Sequence, residues 1–432
     1  MKLSGWGRCP IIESEAFHFN RREVLQHYFS KKVDCISYGM GRSYGDSALA
    51  PHTLHTDLFN HFLNFDDQTG VLTCESGVSL AEILEVFVPR GWFLEVTPGT
   101  KYISIGGAIA SDVHGKNHHV NGCFSSSVIS FELMLPDGTI KECSRETNVT
   151  LFKATCGGMG LTGVILTACF RLRRIPSSMI AQTTLKAKNL EETLDLFKQY
   201  QNSPYSVAWV DCLAKGKKLG RALLMVGDHA EAKKLQIAAH PKLTFPFNLP
   251  GFALNKFSVS AFNFLYYHRI FETEKKSLTS LDSFFYPLDA VHLWNRMYGS
   301  AGFTQYQFVI PLTSGFKGLR EIFSLISNSG LGSFLSVLKL LGPSNENYLS
   351  FPMEGYTLAL DFKIEPKLFP LLDQLDKIVL NHGGRLYLAK DVRMTAETLK
   401  HGYQHLTEFF DIRETHALKT SFNSKQSKRL GL

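Results

Sequence analysis

The chain lacks the features that place a protein across a membrane or outside the cell. No stretch of its 432 residues reaches the length of about 18 apolar residues that a membrane-spanning helix needs. The first residues, MKLSGWGRCP, contain no apolar core of a secretory signal. We therefore expect a cytoplasmic protein, with peripheral contact to the inner membrane as a further possibility.

Cysteine pairs are also missing. The eight cysteines form no Cys-x-x-Cys motif, and most lie in apolar, strand-like runs, which favours buried free thiols over disulfides or a metal site. His114, His118 and His119 invite a metal interpretation, but their spacing matches no familiar zinc pattern and the nearby carboxylates are limited to Asp112. We therefore expect no metal.

No run of Lys and Arg is long enough for a nucleic-acid-binding arm, so we expect no nucleic-acid partner. The net charge of +7 favours an anionic substrate or an acidic membrane surface, or it has no functional meaning. Composition leaves these interpretations open. The length predicts two or three domains, and the apolar fraction of 44% is ordinary for a soluble protein.

The N-terminal part of the chain alternates between predicted helices and strands. Strands are predicted at Cys35–Tyr38, Val71–Glu75, Ile129–Leu135, Thr139–Cys143 and Val164–Leu172, and helices at Glu23–Phe29 and Leu80–Val88. The pair of strands around Pro136-Asp137-Gly138 is typical of a β-hairpin.

Near Pro176 the glycine clusters thin out and aromatic residues become frequent, which predicts a second domain at residues 177–384 with its own sheet. Its strands are predicted at Tyr205–Asp211, Ala222–Val226, Gln305–Ile310 and Tyr356–Phe362, and its helices at Leu194–Tyr200, Leu319–Ser327 and Leu368–Asn381. Residues 245–271 are rich in Phe, Tyr and Leu and poor in charge. Core packing is the expected explanation, and a lipid-facing loop is the alternative.

Three glycine-rich segments lie beside predicted strands: GMGRSYG at 39–45, GGAIASDVHG at 106–115 and GGMGLTG at 157–163. Glycines let backbone N–H groups turn inward and let a ligand approach closely, and Arg42 and Ser43 add donors that suit a pyrophosphate. The spacing fits neither a Rossmann fingerprint nor a Walker A loop. Three such loops predict one extended ligand that several loops contact.

Together these motifs resemble the vanillyl-alcohol-oxidase (PCMH-type) flavoproteins, and more closely the decaprenylphosphoryl-β-D-ribose 2-oxidase family. The resemblance extends over nearly the whole chain. The strings that carry it are GWGR at 5–8, GRSYGD at 41–46, PGT at 98–100, GGAIASDVHGKNHH at 106–119, GGMGLTG at 157–163, KLGRA at 218–222, WNR at 294–296, AGFTQYQFVIP at 301–311, KLLGP at 339–343 and GGRLYLAKD at 383–391.

The resemblance implies an α+β fold of two domains. An FAD-binding domain would be formed by both chain ends, residues 1–176 and 385–432, and an antiparallel-sheet substrate domain would be inserted between them at 177–384. FAD would be held noncovalently, because Arg42 stands where many relatives in the wider class carry the histidine that links to the cofactor. Cofactor contacts are expected at Gly39, Gly41, Arg42, Ser43, Tyr44, Gly45, Gly99, Ser104, Ile105, Gly106, Gly107, Ser111, Asp112, Val113, His114, Ile165 and Tyr387.

Substrate contacts implied by the resemblance are Tyr44, Trp209, Gln305, Gln307, Lys339 and Lys390, and the catalytic candidates are Lys390, Tyr387 and His114. Gln305 and Gln307 alternate on a predicted strand, so both amides share a face and can hold sugar hydroxyls. Lys339 can meet a phosphate as a point charge. A desolvated Lys390 can serve as the base for the hydroxyl proton or as positive charge beside the reduced flavin, and both roles remain open.

The reaction that the resemblance implies is oxidation of the 2′-hydroxyl of a polyprenylphosphoryl-β-D-ribose to the 2′-keto sugar. This is the first half of an epimerisation to the arabinose form, used in cell-envelope biosynthesis. An NAD(P)H-dependent reductase would complete it, and a quinone or other acceptor would reoxidise FAD. The alternatives are a soluble sugar-alcohol or aldonolactone oxidase, and a noncatalytic protein that binds flavin or a sugar lipid. Ala359 stands where mycobacterial members carry a cysteine, so we expect catalysis to need no thiol there.

Overall fold

Two antiparallel sheets organise the chain, which the computed structural model describes at residues 1–232, 234–237 and 243–432. Each sheet carries its own large cluster of buried apolar side chains. The mixture of helices with antiparallel sheets is the α+β class that the sequence predicts, and that prediction is confirmed.

The smaller of the two sheets has six strands and belongs to the N-terminal part. Across the sheet its strands are Ile140–Ser144, Val128–Met134, Val164–Arg174, Val71–Glu75 and Phe62–Asp66, and Trp92–Leu94 also pairs with Val164–Arg174. The predicted hairpin is present, because Ile140 pairs with Met134 across the turn at 136–138. A parallel sheet of Glu15–His18, His52–His55 and Ile36–Tyr38 and a pair of strands, Lys2–Ser4 and Ile11–Glu13, complete this part.

The larger sheet has eight antiparallel strands and is called the large sheet below. In spatial order its strands are Glu274–Ser280, Met179–Ala187, Ala222–His229, Tyr205–Val210, Ser336–Leu341, Gly355–Lys363, Phe303–Pro311 and Arg385–Leu386. Side chains alternate between its faces. Tyr306 and Phe308 therefore join the core, while Gln305 and Gln307 lie on the opposite face, which lines a cavity.

Helices cover one face of the large sheet and fill the remaining connections. Those packed on the sheet are Leu190–Gln199, Gly315–Ser329 and Leu368–Asn381. The others are Arg22–Phe29, Leu80–Phe87, Ile105–Ala110, His118–Asn121, Val149–Thr155, Lys256–His268, Leu281–Phe285, Ala396–Gly402, Leu406–Thr415 and Lys425–Leu430. Within the described residues, none of these helices combines the length and apolar character that crossing a bilayer requires.

The core-packing expectation for residues 245–271 is wrong for most of the segment. Asn255 caps a helix at Lys256–His268, and the side chains that it buries follow a single stripe at Val259, Asn263 and Tyr267. Since one stripe faces the protein, most of the other apolar side chains point outward, and Tyr266 packs against Trp209. Phe257, Phe264 and Leu265 are 83%, 54% and 68% exposed, and other exposed apolar residues of this region are Phe247, Phe252 and Phe271.

The two chain ends meet at a buried ion network. The guanidinium of Arg429, on the C-terminal helix, lies 2.8 Å from a carboxylate oxygen of Asp46 and 2.9 Å from one of Asp391. Asp46 follows the first glycine-rich loop directly. Gly45 is needed beside it, because a Cβ at that position would lie 1.6 Å from the carbonyl oxygen of Asp391. The C-terminal helix thereby fixes the glycine-rich loop against residues 389–392.

Candidate active site

A cavity of about 720 Å³ lies between the glycine-rich loops and the open face of the large sheet. Segment 277–294, which contains the helix Leu281–Phe285, forms part of its wall. Most of the residues that the sequence assigns to a cofactor or substrate site line this one cavity. They are Gly39, Gly41, Arg42, Ser43, Tyr44, Gly99, Ser104, Gly106, Gly107, Ser111, Val113, His114, Ile165, Trp209, Gln305, Gln307, Lys339, Tyr387 and Lys390.

Three of the expected cofactor residues do not line the cavity. Gly45 packs against Asp391, as described above. Ile105 is fully buried in the core of the N-terminal part. The carboxylate of Asp112 is also fully buried, and it accepts hydrogen bonds from three side chains between residues 345 and 350. Asp112 therefore braces the second glycine-rich loop from behind, because its oxygens are already engaged away from the cavity.

The first glycine-rich loop offers backbone donors to the cavity. Within the described residues, no acceptor takes the N–H groups of Met40, Gly41, Arg42 or Ser43. Gly41 has φ of +61°, a conformation that turns successive N–H groups toward one side. The guanidinium of Arg42 lies 4.3 Å from the ring centre of Trp6, which holds its charge beside these donors. Such a nest fits the pyrophosphate of a dinucleotide cofactor.

Gly99 and the second glycine-rich segment leave room for a flat ligand. A Cβ at Gly99 would meet no atom within 4 Å, and one at Gly107 would meet only the hydroxyl of Ser104. These glycines therefore keep the cavity open. Gly45 has a different role, because its lack of a side chain allows the backbone of Asp391 to approach. An open, glycine-lined wall beside an anion nest fits FAD as the resident cofactor.

Three lysines line the cavity. Burial lowers the pKa of Lys390 to about 8, with the charge of Lys339 adding to the effect, and its Nζ lies 4.2 Å from the ring centre of Tyr44. Burial likewise lowers the pKa of Lys339 to about 8, and in the described part of the chain its ammonium has no hydrogen-bond or ion-pair partner. Burial and the charge of Lys339 lower the pKa of Lys116 to about 7, and its ammonium donates to the carbonyl of Phe284.

His114 is held neutral. Burial first, and then the charges of Lys339, His118 and Lys390, keep its pKa well below the ordinary value for histidine. Its Nε2 lies 3.1 Å from the amide nitrogen of Gln307. Nδ1 of His114 is buried and has no hydrogen-bond partner among the described residues.

The buried carboxyl group of Asp361 contacts the side chain of Gln305 on the neighbouring strand. Burial raises the pKa of Asp361 to about 7, and the hydrogen bond from Gln305 and the charge of Lys390 oppose that rise. The amide nitrogen of Gln305 lies 2.6 Å from one oxygen of Asp361 and 3.5 Å from the hydroxyl of Tyr44. Asp361 therefore contacts Gln305, which in turn lies beside the hydroxyl of Tyr44. The ammonium of Lys390 lies over the ring of Tyr44 and interacts with the charge of Asp361.

The aromatic candidates are held by contacts of their own. The hydroxyl of Tyr387 donates to the carbonyl of Ser111 at 2.9 Å, and its ring stacks on Phe351. This favours a packing role over a proton relay, because the hydroxyl proton is already engaged. The indole N–H of Trp209 donates to the carbonyl of Phe334, so the ring is left to line the cavity as an apolar surface.

Sequence reasoning missed part of this site. Lys116 lies within the HGKNHH string without being singled out, and Asp361 shares its strand face with Ala359 and Thr357, a pattern that signals nothing by itself. Segment 277–294 has no glycine motif. Its position over the cavity follows from distant bonds, such as the one between Asp289 and the hydroxyl of Thr100.

Comparison with known proteins agrees with this geometry. Residues 22–144 match the family model described as an FAD binding domain. Over its whole length the chain is 36% identical to decaprenylphosphoryl-β-D-ribose oxidase of Mycolicibacterium smegmatis and covers 97% of that protein. An uncharacterised Streptomyces coelicolor protein is 31% identical over 82% of this chain and all of its own length. L-gulonolactone oxidase of Bos taurus is 29% identical over 45% of each chain.

Gly99→Val tests whether the open wall holds the cofactor. We expect FAD affinity to fall by at least about tenfold, which corresponds to about 1.4 kcal/mol, because the new side chain enters space that nothing else occupies. The thermal midpoint of the apoprotein should change little, since a Cβ at this position meets no protein atom within 4 Å. Both quantities follow from FAD titration and scanning calorimetry.

Gly251→Val is the matched control, because a Cβ there meets only the Lys363 ammonium at 3.7 Å, and Gly251 is not among the cavity-lining residues. Unchanged FAD affinity in Gly99→Val would contradict the assignment of this wall to the cofactor.

Proposed function

The chain belongs to the decaprenylphosphoryl-β-D-ribose oxidase family, and we propose that it oxidises the 2′-hydroxyl of a polyprenylphosphoryl-β-D-ribose to the 2′-keto sugar. It is an FAD-dependent oxidoreductase. The proposed substrate is inferred from the residues that the large sheet contributes to the cavity wall. Two glutamines suited to sugar hydroxyls lie there with Lys339, a desolvated lysine that lacks a counter-ion within the described residues.

The cofactor side of the proposal assigns FAD to residues 1–176 and 385–432. The anion nest at residues 40–43 supports this assignment, and so does the Arg429 network, which joins the two chain ends beside that nest. We propose that FAD is bound noncovalently, because the guanidinium of Arg42 stays protonated and offers no nucleophile for a covalent link. We propose that FAD contacts those expected cofactor residues that line the cavity.

We propose that residues 177–384 bind the substrate. The sugar would lie against the open face of the large sheet. The final strand of that sheet, Arg385–Leu386, leads directly into the turn Leu388–Lys390. Lys390 thus lies where the proposed substrate domain returns to the proposed cofactor domain.

FAD, when bound, accepts the hydride from the carbon that is oxidised. The protein must then remove the hydroxyl proton, and we propose Lys390 for this role. With a pKa of about 8, a substantial fraction of its amine is neutral near pH 7–8 and can accept a proton. After the transfer, the nearby carboxylate of Asp361 stabilises the ammonium. His114, being neutral and engaged with Gln307, has a positioning role instead.

The phosphate of the substrate matches Lys339. Its ammonium lacks an anionic partner within the described residues, and desolvation lowers its pKa to about 8. A phosphodiester supplies the missing anion, whereas a free sugar does not. Trp209 offers an apolar surface on the neighbouring strand, which suits the start of a prenyl chain.

The remaining partners follow from the chemistry. A 2′-keto sugar requires an NAD(P)H-dependent reductase to become the arabinose form, and reduced FAD requires an acceptor such as a quinone. The lipid tail also calls for contact with a membrane. The outward aromatic residues of the helix Lys256–His268 support such contact, since Tyr266 of that helix and the adjacent Arg269 line the cavity.

Two other functions are weighed against this proposal. The similarity to L-gulonolactone oxidase, over 45% of each chain, favours a soluble sugar-alcohol or aldonolactone oxidase as the second candidate. Such a substrate gives no role to Lys339. A noncatalytic flavin- or sugar-lipid-binding protein needs no base, which leaves the desolvated Lys390 without a role.

Anaerobic reduction of the holoenzyme tests the substrate. We expect the flavin absorbance to bleach with farnesylphosphoryl-β-D-ribofuranose but not with ribose or alditols, because only the first fills both the hydroxyl and the anion positions. The change is followed in a stopped-flow spectrometer. Bleaching by small polyols alone would contradict the proposed substrate and support a soluble sugar-alcohol or aldonolactone oxidase.

The pH dependence of that reduction tests Lys390. Because the neutral amine is the competent base, its fraction grows with pH, and the rate should rise through about pH 8 and then level off. Lys390→Met should abolish reduction while FAD stays bound. Lys363→Met, at the end of the strand Gly355–Lys363 and outside the cavity, serves as the control. A wild-type rate that falls above pH 8 would instead assign Lys390 the role of a fixed positive charge.

Co-sedimentation with phosphatidylglycerol vesicles at low salt tests the membrane contact. We expect binding that drops at least twofold in a Phe257→Ser/Phe264→Ser variant, since burying one such ring is worth about 1.5–3 kcal/mol. Phe316→Ser, which changes an exposed ring on a helix of the opposite face, should bind as the wild type does. Equal binding of all three proteins would exclude this helix as the contact.

A further inference from the structure

We infer that His18, His55 and Asp57 form a binding site for a divalent transition-metal ion of the zinc type, separate from the cavity. One nitrogen of each imidazole and one carboxylate oxygen of Asp57 lie within 4.8 Å of one another. In the part of the chain that the structure describes, this is the one group of at least three His, Cys, Asp or Glu side chains that could hold an ion. None of the three residues lines the cavity.

The small parallel sheet brings the two histidines together. His18 ends the strand Glu15–His18, His55 ends the strand His52–His55, and the two residues are direct partners in the parallel register. Because side chains alternate in step along both strands, partners in the register point to the same face. The ring centres are 4.7 Å apart. Asp57 follows the second strand by two residues and adds its carboxylate at the same edge of the sheet.

His55 is held with one ring nitrogen engaged and the other free. Its Nε2 lies 3.1 Å from the hydroxyl of Thr53, and its Nδ1 has no hydrogen-bond partner among the described residues. A fixed partner on the second nitrogen is the usual arrangement of a metal-binding histidine. The ring of His55 is buried and stacks on Tyr38. Burial, and then the charge of His18, lower the pKa of His55, so its imidazole is neutral and keeps a free lone pair.

His18 and Asp57 supply the adjustable part of the site. Nδ1 of His18 lies 2.8 Å from Oδ1 of Asp57, and both side chains are about half exposed. Two ligands bonded to one tetrahedral ion at about 2.0–2.1 Å lie about 3.3 Å apart, so this pair has to separate by about half an ångström. The widest separation in the group, at most 4.8 Å, has to close. Rotation of the two exposed side chains toward His55 supplies both changes.

Two imidazole nitrogens and one carboxylate oxygen select the class of ion. Zn²⁺ is commonly held by three such protein ligands and a water molecule, and imidazole also suits copper and nickel. Mg²⁺ and Ca²⁺ prefer oxygen ligands throughout, and this group contains a single carboxylate. The sequence gives no sign of the site, because positions 18, 55 and 57 form no motif and only the pairing of the strands brings them together.

An ion at this place would join both strands to the segment that follows the second one. On the other side of His55 the register partner is Tyr38, whose ring stacks on the imidazole with the centres 4.8 Å apart. Tyr38 directly precedes Gly39, where the first glycine-rich loop begins. An ion that binds the folded state alone raises its stability. Occupancy of the site should therefore stabilise the sheet from which the proposed cofactor loop starts.

Isothermal titration calorimetry of the tag-free holoenzyme with Zn²⁺ tests the site. We expect one ion to bind more tightly than any others, and its affinity to fall at least about tenfold in His18→Gln and in Asp57→Asn, because each variant loses one of three ligands. Both side chains are exposed enough for the variants to fold. The thermal midpoint should rise with Zn²⁺ in the wild type and much less in either variant. Excess Mg²⁺ should not displace the bound ion.

His52→Gln is the matched control. His52 begins the same strand, and its imidazole lies 3.4 Å from a single carboxylate, that of Glu15, without a second histidine beside it. This variant should bind Zn²⁺ as the wild type does. Equal affinity in all four proteins would show adventitious binding to surface histidines only and overturn the site, and so would displacement by Mg²⁺. These measurements need no turnover, so their outcome is independent of the proposed oxidation.

Discussion

Arg429 holds the two ends of the chain together, and the geometry of the site depends on that contact. Its guanidinium meets Asp46 and Asp391 in a setting where both acids are almost fully buried. Such a network forms only with good geometry, because both carboxylates have lost nearly all of their water. Asp46 lies two residues after Tyr44 and Asp391 one residue after Lys390. The network therefore sets the distance between the glycine-rich loop and the proposed base, although hundreds of residues separate them in the chain.

Positive charge shapes the rest of the cavity. Lys116, Lys339 and Lys390 are all desolvated, and among the described residues only Lys390 has a carboxylate that opposes the fall of its pKa. The charges of Lys339 and Lys390 help to keep His114 neutral, and a neutral imidazole can accept from Gln307. The lysines thus have two effects. They create a place for an anion, and they help to keep the imidazole of His114 neutral.

Much of this could be predicted from local sequence patterns, and the rest depends on distant contacts. Alternation places Phe303–Pro311 as a strand with its glutamines on one face, and the glycine-rich segments identify the cavity wall. Asp112 lies in such a segment, yet its carboxylate is bound by residues more than 230 positions away. Asp361 has no pattern of its own. The exposed aromatic face of Lys256–His268 looked like core because composition does not specify which side of a helix is covered.

The orientation of an amide is the clearest case of information that sequence lacks. A glutamine on a polar strand face can present a donor or an acceptor, and only its neighbours decide between them. For Gln305 and Gln307 those neighbours come from another strand and from a glycine-rich loop. Hydroxyl groups of any polyol can pair with these amides. The uncompensated charge of Lys339 needs an anion in addition, so a sugar carrying a phosphodiester is complementary to the whole wall and a free polyol only to half of it.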